Sequence, residues 1–125
     1  MNPHTSGPKI AVVGDDSDVV FTITEMLQGF NRNPIGHYRP KSHTDGVVAW
    51  LNHVEPALTV WQMPGPTIDY VRELSDIRKQ VSCWRWVILA SSVLDRTIER
   101  NVEVLIIPIS VSQLLSAVDN LLHLT

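Results

Sequence analysis

The chain has few of the residues that would support a disulfide scaffold, a membrane span or a basic nucleic-acid-binding surface. Among its 125 residues there is one cysteine, Cys83, which excludes an intramolecular disulfide. No apolar run approaches the roughly 18–20 residues of a membrane span, and the N-terminus lacks the apolar core of a signal peptide. The formal net charge of -3 argues against a generally basic surface. These absences predict a cytoplasmic domain that does not contact a membrane.

Carboxylates are also missing from one stretch near the middle of the chain. Residues 56–68 contain neither Asp nor Glu. The five His and the single Cys lie at no metal-ligand spacing, so the sequence predicts no metal site and no cofactor. Apolar residues nevertheless make up 44% of the chain, which is enough for one domain with its own core. We expect a flexible leader over residues 1–8 and a single domain over residues 9–125.

Short apolar runs alternate with segments of helical periodicity. We predict strands over residues 9–13, 35–39, 57–61, 84–90 and 104–107. We predict that the helices between and after them are capped by Ser17 or Asp18, by Thr44 or Asp45, by Thr67, and by Ser110 in a capping box with Gln113. Between the last two strands there is room for only about two helical turns, near residues 95–101, so the fourth helix should be short or irregular.

This alternation predicts an α/β fold in which helices cover both faces of a parallel sheet. Five such units in a chain of this length are typical of a flavodoxin-like, doubly wound fold with the strand order 2-1-3-4-5. The second run, at residues 35–39, lies between Pro34 and Pro40, which favours a position near the edge of the sheet.

Several motifs over residues 9–124 resemble the CheY-like receiver domain of response regulators. The first strand is followed by Gly14-Asp15-Asp16, which resembles the family's acidic turn. Met63-Pro64-Gly65 resembles the loop after its phosphoacceptor, and Ile107-Pro108 stands where the family has Lys-Pro, usually with a cis peptide bond. The resemblance implies a signalling module of a two-component system or phosphorelay.

The resemblance also implies a pocket in which two acids and an acceptor Asp hold Mg²⁺, while a hydroxyl and a Lys contact the phosphoryl group. In this sequence the first acid is replaced by Gly14, although Asp15 is retained as the second acid and Asp16 as an additional one. The acceptor position falls on Val60 when counted back from Met63, or on Gln62 when counted forward from Pro56. Neither residue is a carboxylate.

The remaining pocket positions are altered as well. Ser91 can supply the hydroxyl, or Ala90 if the alignment shifts by one residue. Ile107 replaces the Lys, and Val104 replaces an aromatic residue common in the family. We therefore interpret the chain as a pseudo-receiver that is not an enzyme, is not phosphorylated, and acts by binding a protein partner or by self-association.

In the receiver family, partners usually bind the fourth helix, the fifth strand and the fifth helix. Here the resemblance and the local aromatic residues suggest a surface formed by Trp84, Trp86, Val104, Ile106, Leu114, Leu115 and Val118. Trp84 and Trp86 alternate with Arg85, so both are expected on one face of their strand, either filling the core or contacting a partner.

Two other interpretations stay open, and a third is disfavoured. A small molecule could bind the altered pocket, with Trp61, Trp84 or Trp86 stacking on it. The chain could instead be the receiver piece of a longer regulator with a residual phosphorelay role. Nucleic-acid contact at a basic edge is disfavoured because aromatic residues for base stacking are not interleaved with its members, Arg32, Arg39, Lys41 and His43.

Overall fold

Strands and helices alternate in the computed structural model, which describes residues 7–39, 45–63, 68–91 and 101–124. In chain order the elements are β1 (Lys9–Gly14), α1 (Ser17–Gly29), β2 (Asn33–Tyr38), α2 (Asp45–Val54), β3 (Leu58–Gln62), α3 (Ile68–Gln80), β4 (Trp86–Ala90), β5 (Val102–Ile106) and α4 (Val111–Leu122). Most of the predicted leader, the Thr44 and Thr67 caps and nearly all of the predicted short helix at residues 95–101 lie outside the described residues.

The five strands form one parallel sheet in the order β2-β1-β3-β4-β5, which confirms the predicted topology. Strand β2 is an outer strand, as predicted, although Pro34 lies within the strand and does not precede it. No helix within the described ranges is long and apolar enough to cross a bilayer.

Capping hydrogen bonds fix where two helices, α1 and α4, begin. The capping box of α4 is confirmed, because Ser110 Oγ accepts from the Gln113 N–H at 3.1 Å and Gln113 Oε1 accepts from the Ser110 N–H at 2.8 Å. The predicted cap of α1 is wrong by one residue or more. Asp16 is the N-cap, since its carboxylate accepts from the N–H groups of Asp18 and Val19 and the helix already begins at Ser17.

All five predicted strands are shifted by one or two residues at one or both ends. Strand β1 extends to Gly14, and β2 runs from Asn33 to Tyr38. Strand β3 extends to Gln62, β5 begins at Val102 and ends at Ile106, and β4 begins only at Trp86. The apolar pattern includes neighbouring residues that pack on the core without pairing in the sheet, so it defines strand ends less sharply than strand centres.

The two faces of the sheet carry different cores. The aliphatic face, covered by α1 and α4, is built on the strand residues Ile10, Val12, Leu58, Val60, Val87 and Leu89. The tryptophan face, covered by α2 and α3, is built on Ala11, Val13, Trp61, Trp86, Ile88 and Ala90. Consecutive strand residues alternate between these faces, as the period of two requires.

Candidate functional site

Three residues at the carboxyl ends of adjacent strands mark the candidate site. Gly14 ends β1, Gln62 ends β3 and Ser91 directly follows β4. The residues two positions earlier on each strand lie in the core of the aliphatic face. Because side chains alternate along a strand, the three positions fall on that same face. Open α/β sheets bind ligands at this end, where the strands finish.

The side chain of Gln62 reaches across to the turn that follows β1. Its Oε1 accepts a hydrogen bond from the backbone N–H of Asp16 at 3.2 Å. A Cβ atom on Gly14 would collide with this oxygen, and it would also lie 3.1 Å from Gln62 Cβ and 3.0 Å from Val20 Cγ2. The absence of a side chain at position 14 therefore provides the room that the Gln62 carboxamide occupies.

The sheet register distinguishes the two positions that the sequence left open for the acceptor. Val12 pairs with Val60 and Val13 with Trp61, so the next step along both strands brings Gly14 opposite Gln62. Val60 is fully buried in the core, two residues deeper on the same face. Gln62 is the one that lies at the end of the sheet, and its amide supplies no carboxylate there.

The acidic turn is engaged in holding the start of α1. Asp16 Oδ1 accepts from the N–H groups of Asp18 at 2.9 Å and Val19 at 3.4 Å. An aspartate at this place satisfies backbone donors that have no partner within the helix and favours the positive end of the helix dipole. Within the described residues, no group of three or more His, Cys, Asp and Glu is arranged to hold a metal ion.

The other pocket positions flank this end of the sheet. Ser91 is exposed, whereas Ala90 is buried on the tryptophan face, so Ser91 is the residue of the two that offers a hydroxyl here. Ile107 donates its N–H to Ala90 O at 2.9 Å and packs against the aliphatic core. The Ile107-Pro108 peptide bond is cis. An isoleucine at this place offers no positive charge to a phosphoryl group.

The tryptophans lie elsewhere, and two of them cannot contact a ligand or a partner. Trp61 and Trp86 are 1% and 0% exposed, with ring centroids 5.9 Å apart on the tryptophan face. The expectation that Trp84 and Trp86 share one face is wrong, because the strand begins at Trp86. Trp84 is 44% exposed and stacks against the Arg85 guanidinium at 4.0 Å. Stacking of a small molecule on Trp61 or Trp86 would require the core to open.

The predicted partner surface is smaller than the sequence suggested. Leu114 and Val118 are fully buried on the inner side of α4, so they cannot contact a partner directly. Ile106 is 40% exposed at the end of β5, and Val104 and Leu115 are partly exposed. Together with Trp84, these are the predicted surface residues that solvent reaches.

The two members of the predicted basic edge that the structure describes, Arg32 and Arg39, are both ion-paired. Arg32 forms a two-pronged ion pair with Asp119, with Nε to Oδ1 at 3.0 Å and Nη2 to Oδ2 at 2.6 Å, and this hydrogen-bonded partner raises the pKa of Arg32. Arg39 is 4% exposed, lies 5.0 Å from the ring centroid of Trp61 and bonds to Glu73 at 3.2 Å. Lys41 and His43, the other two predicted members, lie outside the described residues.

Two features of this region could not be read from the sequence. One is the Gln62 contact to the acidic turn, which joins residues 46 positions apart. Its only signal in the sequence is a glycine and an amide at the ends of two predicted strands. The other is the burial of Arg39, for which the sequence offers no signal, because its acidic partner is 34 residues away.

No family model and no curated protein sequence matches the chain. Solved structures are similar to it in fold. A response-regulator receiver domain from Bacillus halodurans has a TM-score of 0.71 at 21% identity, covering 91% of this chain and 96% of that one. The receiver domain of a Francisella response regulator has a TM-score of 0.69 at 21% identity, covering 93% and 97%.

A third similar structure belongs to a longer protein. The anti-anti-sigma factor PhyR from Bartonella quintana has a TM-score of 0.71 at 11% identity, and the match covers 93% of this chain but 47% of that one. The chain thus has the fold of response-regulator receiver domains, with the flavodoxin-like strand order that the sequence predicted.

Proposed function

We propose that this chain is a signalling module of the response-regulator type that works without phosphorylation, by contact with a protein partner or with a second copy of itself. The observation that carries the proposal is the content of the pocket at the carboxyl end of the sheet. Where receiver chemistry needs an acceptor carboxylate, the chain has a carboxamide that is hydrogen-bonded to the acidic turn.

The chemistry of the pocket residues supports this proposal. A neutral amide is not a nucleophile toward a phosphoryl donor. Mg²⁺ requires hard oxygen ligands in near-octahedral geometry, and the glycine at position 14 removes one of the acids that would provide them. Ile107 cannot neutralise a phosphoryl group as a lysine would. These three differences affect nucleophile, metal and charge separately, so reversing any one of them would not restore the reaction.

A module without a chemical switch must present a surface that already exists in the folded state. Two candidate anchors for a partner, Trp84 and Ile106, are among the largest exposed apolar side chains of the described residues. Both lie beside the β4–β5 pair but at opposite ends of it, since Trp84 precedes β4 and Ile106 ends the parallel strand β5. Tryptophan is among the residue types that most often dominate binding energies at protein interfaces.

The absence of phosphorylation can be tested by mass spectrometry of the intact chain after incubation with acetyl phosphate and Mg²⁺. We expect an unchanged mass, and we expect beryllofluoride with Mg²⁺ to leave the tryptophan fluorescence unchanged. Covalent gain of a phosphoryl group on any Asp would contradict the proposal.

The mode of action can be tested by comparing surface variants with a variant of the acidic turn. We expect Trp84→Ala and Ile106→Ala each to weaken partner binding or self-association about tenfold while leaving the fold intact, whereas Asp15→Ala should leave binding unchanged. Sedimentation equilibrium measures self-association, and calorimetric titration measures a partner purified with the native chain. Loss of binding in Asp15→Ala, with both surface variants unaffected, would identify the acidic turn as the working site instead.

A further inference from the structure

The contact between Gln62 and the acidic turn has a consequence for how the pocket is regulated. Resting on the proposed function, we propose that Gly14 and Gln62 form a built-in plug. The Gln62 carboxamide permanently occupies the pocket and holds the β1–α1 turn in one conformation, and Gly14 is the residue that admits it.

The first support for the plug is steric. The Oε1 atom of Gln62 lies where the side chain of residue 14 would begin, so no residue with a Cβ fits at position 14 while Gln62 keeps this orientation. The space is also bounded by Val20, the first buried residue of α1. Its Cγ2 would be 3.0 Å from a Cβ atom added at position 14. The two positions are therefore mutually dependent.

The second support is the chain of hydrogen bonds that starts at Gln62. Its oxygen holds the N–H of Asp16, the carboxylate of Asp16 holds the N–H groups of Asp18 and Val19, and the Asp16 carbonyl accepts from Val20 at 3.0 Å. A single side chain of β3 is thereby connected to the whole first turn of α1. Without Gln62, the Asp16 N–H would lose this partner from within the protein.

The consequence is a pocket whose occupant cannot leave. In a receiver that is phosphorylated, the occupant of this place is a metal ion and a phosphoryl group, which come and go. Here the occupant is part of the polypeptide, so the β1–α1 turn should have one state whether or not Mg²⁺ or a phosphoryl donor is present. The plug would make the output of the domain constant.

Hydrogen exchange at the Asp16 amide tests the plug directly in the full chain. We expect Gln62→Met, which keeps the length of the side chain but removes the oxygen, to speed exchange at Asp16 about tenfold or more, a loss of about 1.4 kcal/mol of local protection. Gln62→Glu keeps an acceptor oxygen and should retain most of the protection. Unchanged exchange in Gln62→Met would overturn the proposal.

A double-mutant cycle tests whether the two residues act together. Gly14→Ala should speed Asp16 exchange by itself, because its Cβ displaces the Gln62 oxygen. In a Gln62→Ala background the same change should add much less, because the oxygen is gone and only the contacts with Val20 Cγ2 and the Cβ of residue 62 remain. Additive effects would overturn the plug. If Gly14→Ala fails to fold, the comparison of Asp16 exchange in Gln62→Met and Gln62→Glu still tests the proposal.

The failure of the plug and the failure of the proposed function have different signatures. Independent effects at positions 14 and 62, with a native chain that stays inert to acetyl phosphate, would remove the plug and leave the proposed function intact. Phosphorylation of the native chain would remove both.

Discussion

The two faces of the sheet are packed with different kinds of side chain, and this difference indicates where a functional site can lie. The aliphatic face is filled by Ile, Val and Leu, and it ends at the carboxyl side in Gly14 and Gln62. The tryptophan face buries two large aromatic rings together with the guanidinium of Arg39, which bonds to Glu73. One face thus ends in a polar contact at the strand ends, whereas the other encloses polar and aromatic groups inside its packing.

This difference separates two features that one interpretation of the sequence joined, the tryptophans and the pocket. The tryptophans looked like candidates for a ligand surface, but Trp61 and Trp86 pack on the side of the sheet away from the pocket. The residues of the candidate pocket come after strand residues with aliphatic side chains, which carry no reactive group. We infer that the two buried tryptophans serve structural packing, and that the candidate site is marked by the residues at the strand ends.

The largest effect should come from removing a buried ring of the tryptophan face. Trp86→Ala should lower the free energy of unfolding by about 3–5 kcal/mol, because it leaves a large cavity beside Trp61. Trp84→Ala, two residues away and exposed, should cost about 1 kcal/mol or less, from its contact with Arg85. Urea unfolding measures both. Similar costs for the two would mean that Trp86 is not the core residue that distinguishes this face.

The next largest effect should come from placing a charge on the aliphatic face. Val60→Asp should cost about 3 kcal/mol or more, because a carboxylate would be buried among aliphatic side chains with no partner. Gln62→Asp, on the same face at the strand end, should cost about 1 kcal/mol, the net contribution of one hydrogen bond. Thermal and urea unfolding compare them. If Gln62→Asp were the costlier change, Gln62 would be the more deeply packed of the two.

A smaller effect should follow from opening the ion pair that joins the turn after α1 to α4 across the aliphatic face. Arg32→Ala should cost about 1 kcal/mol, less at high salt, because both side chains are partly exposed. Arg32→Lys should recover only part of this loss, since an ammonium group cannot form the two-pronged contact with Asp119. Urea unfolding at low and high salt measures the difference, and a salt-independent cost would point to packing instead of charge.

The smallest effect concerns pH and the tryptophan face. His37 stacks on Trp50 at 4.4 Å, and burial together with the nearby Arg39 lowers the pKa of His37. The unfolded chain therefore takes up a proton first, so stability should fall as pH drops below about 6.5, down to the lower pKa of the folded state. His37→Phe keeps the stack and should flatten this dependence. Unfolding measured between pH 7 and pH 5 checks it, and parallel curves for the two chains would contradict it.

Much of the fold was predictable because apolar periodicity is a local property. The central strands, the outer position of β2 and the capping box at Ser110 all follow from residues within a few positions of one another. The candidate pocket was predictable as a region, since the resemblance to receiver domains placed Gly14, Ser91 and Ile107 around it. The chemistry absent from it was visible as well, because no Asp or Glu occurs in residues 56–68.

It was less predictable which residues of the predicted partner surface are buried and which are exposed. Leu114, Leu115 and Val118 all fit the apolar pattern of the last helix, yet Leu114 and Val118 are fully buried and Leu115 is partly exposed. Helical periodicity indicates an apolar stripe, but how far a neighbouring element covers that stripe depends on the packing of the whole domain.

The sequence by itself determined the alternating strands and helices, the parallel sheet and the missing carboxylate, because each is carried by residue type and short-range spacing. Only the tertiary structure decided that Gln62 lies at the pocket and Val60 in the core, that Trp86 is buried and Trp84 exposed, and that Arg39 bonds to Glu73. A shift of one residue turns a strand's side chains to the opposite face, so these outcomes depend on the exact register. The partner of a buried charge, likewise, is chosen by contacts between residues far apart in the chain.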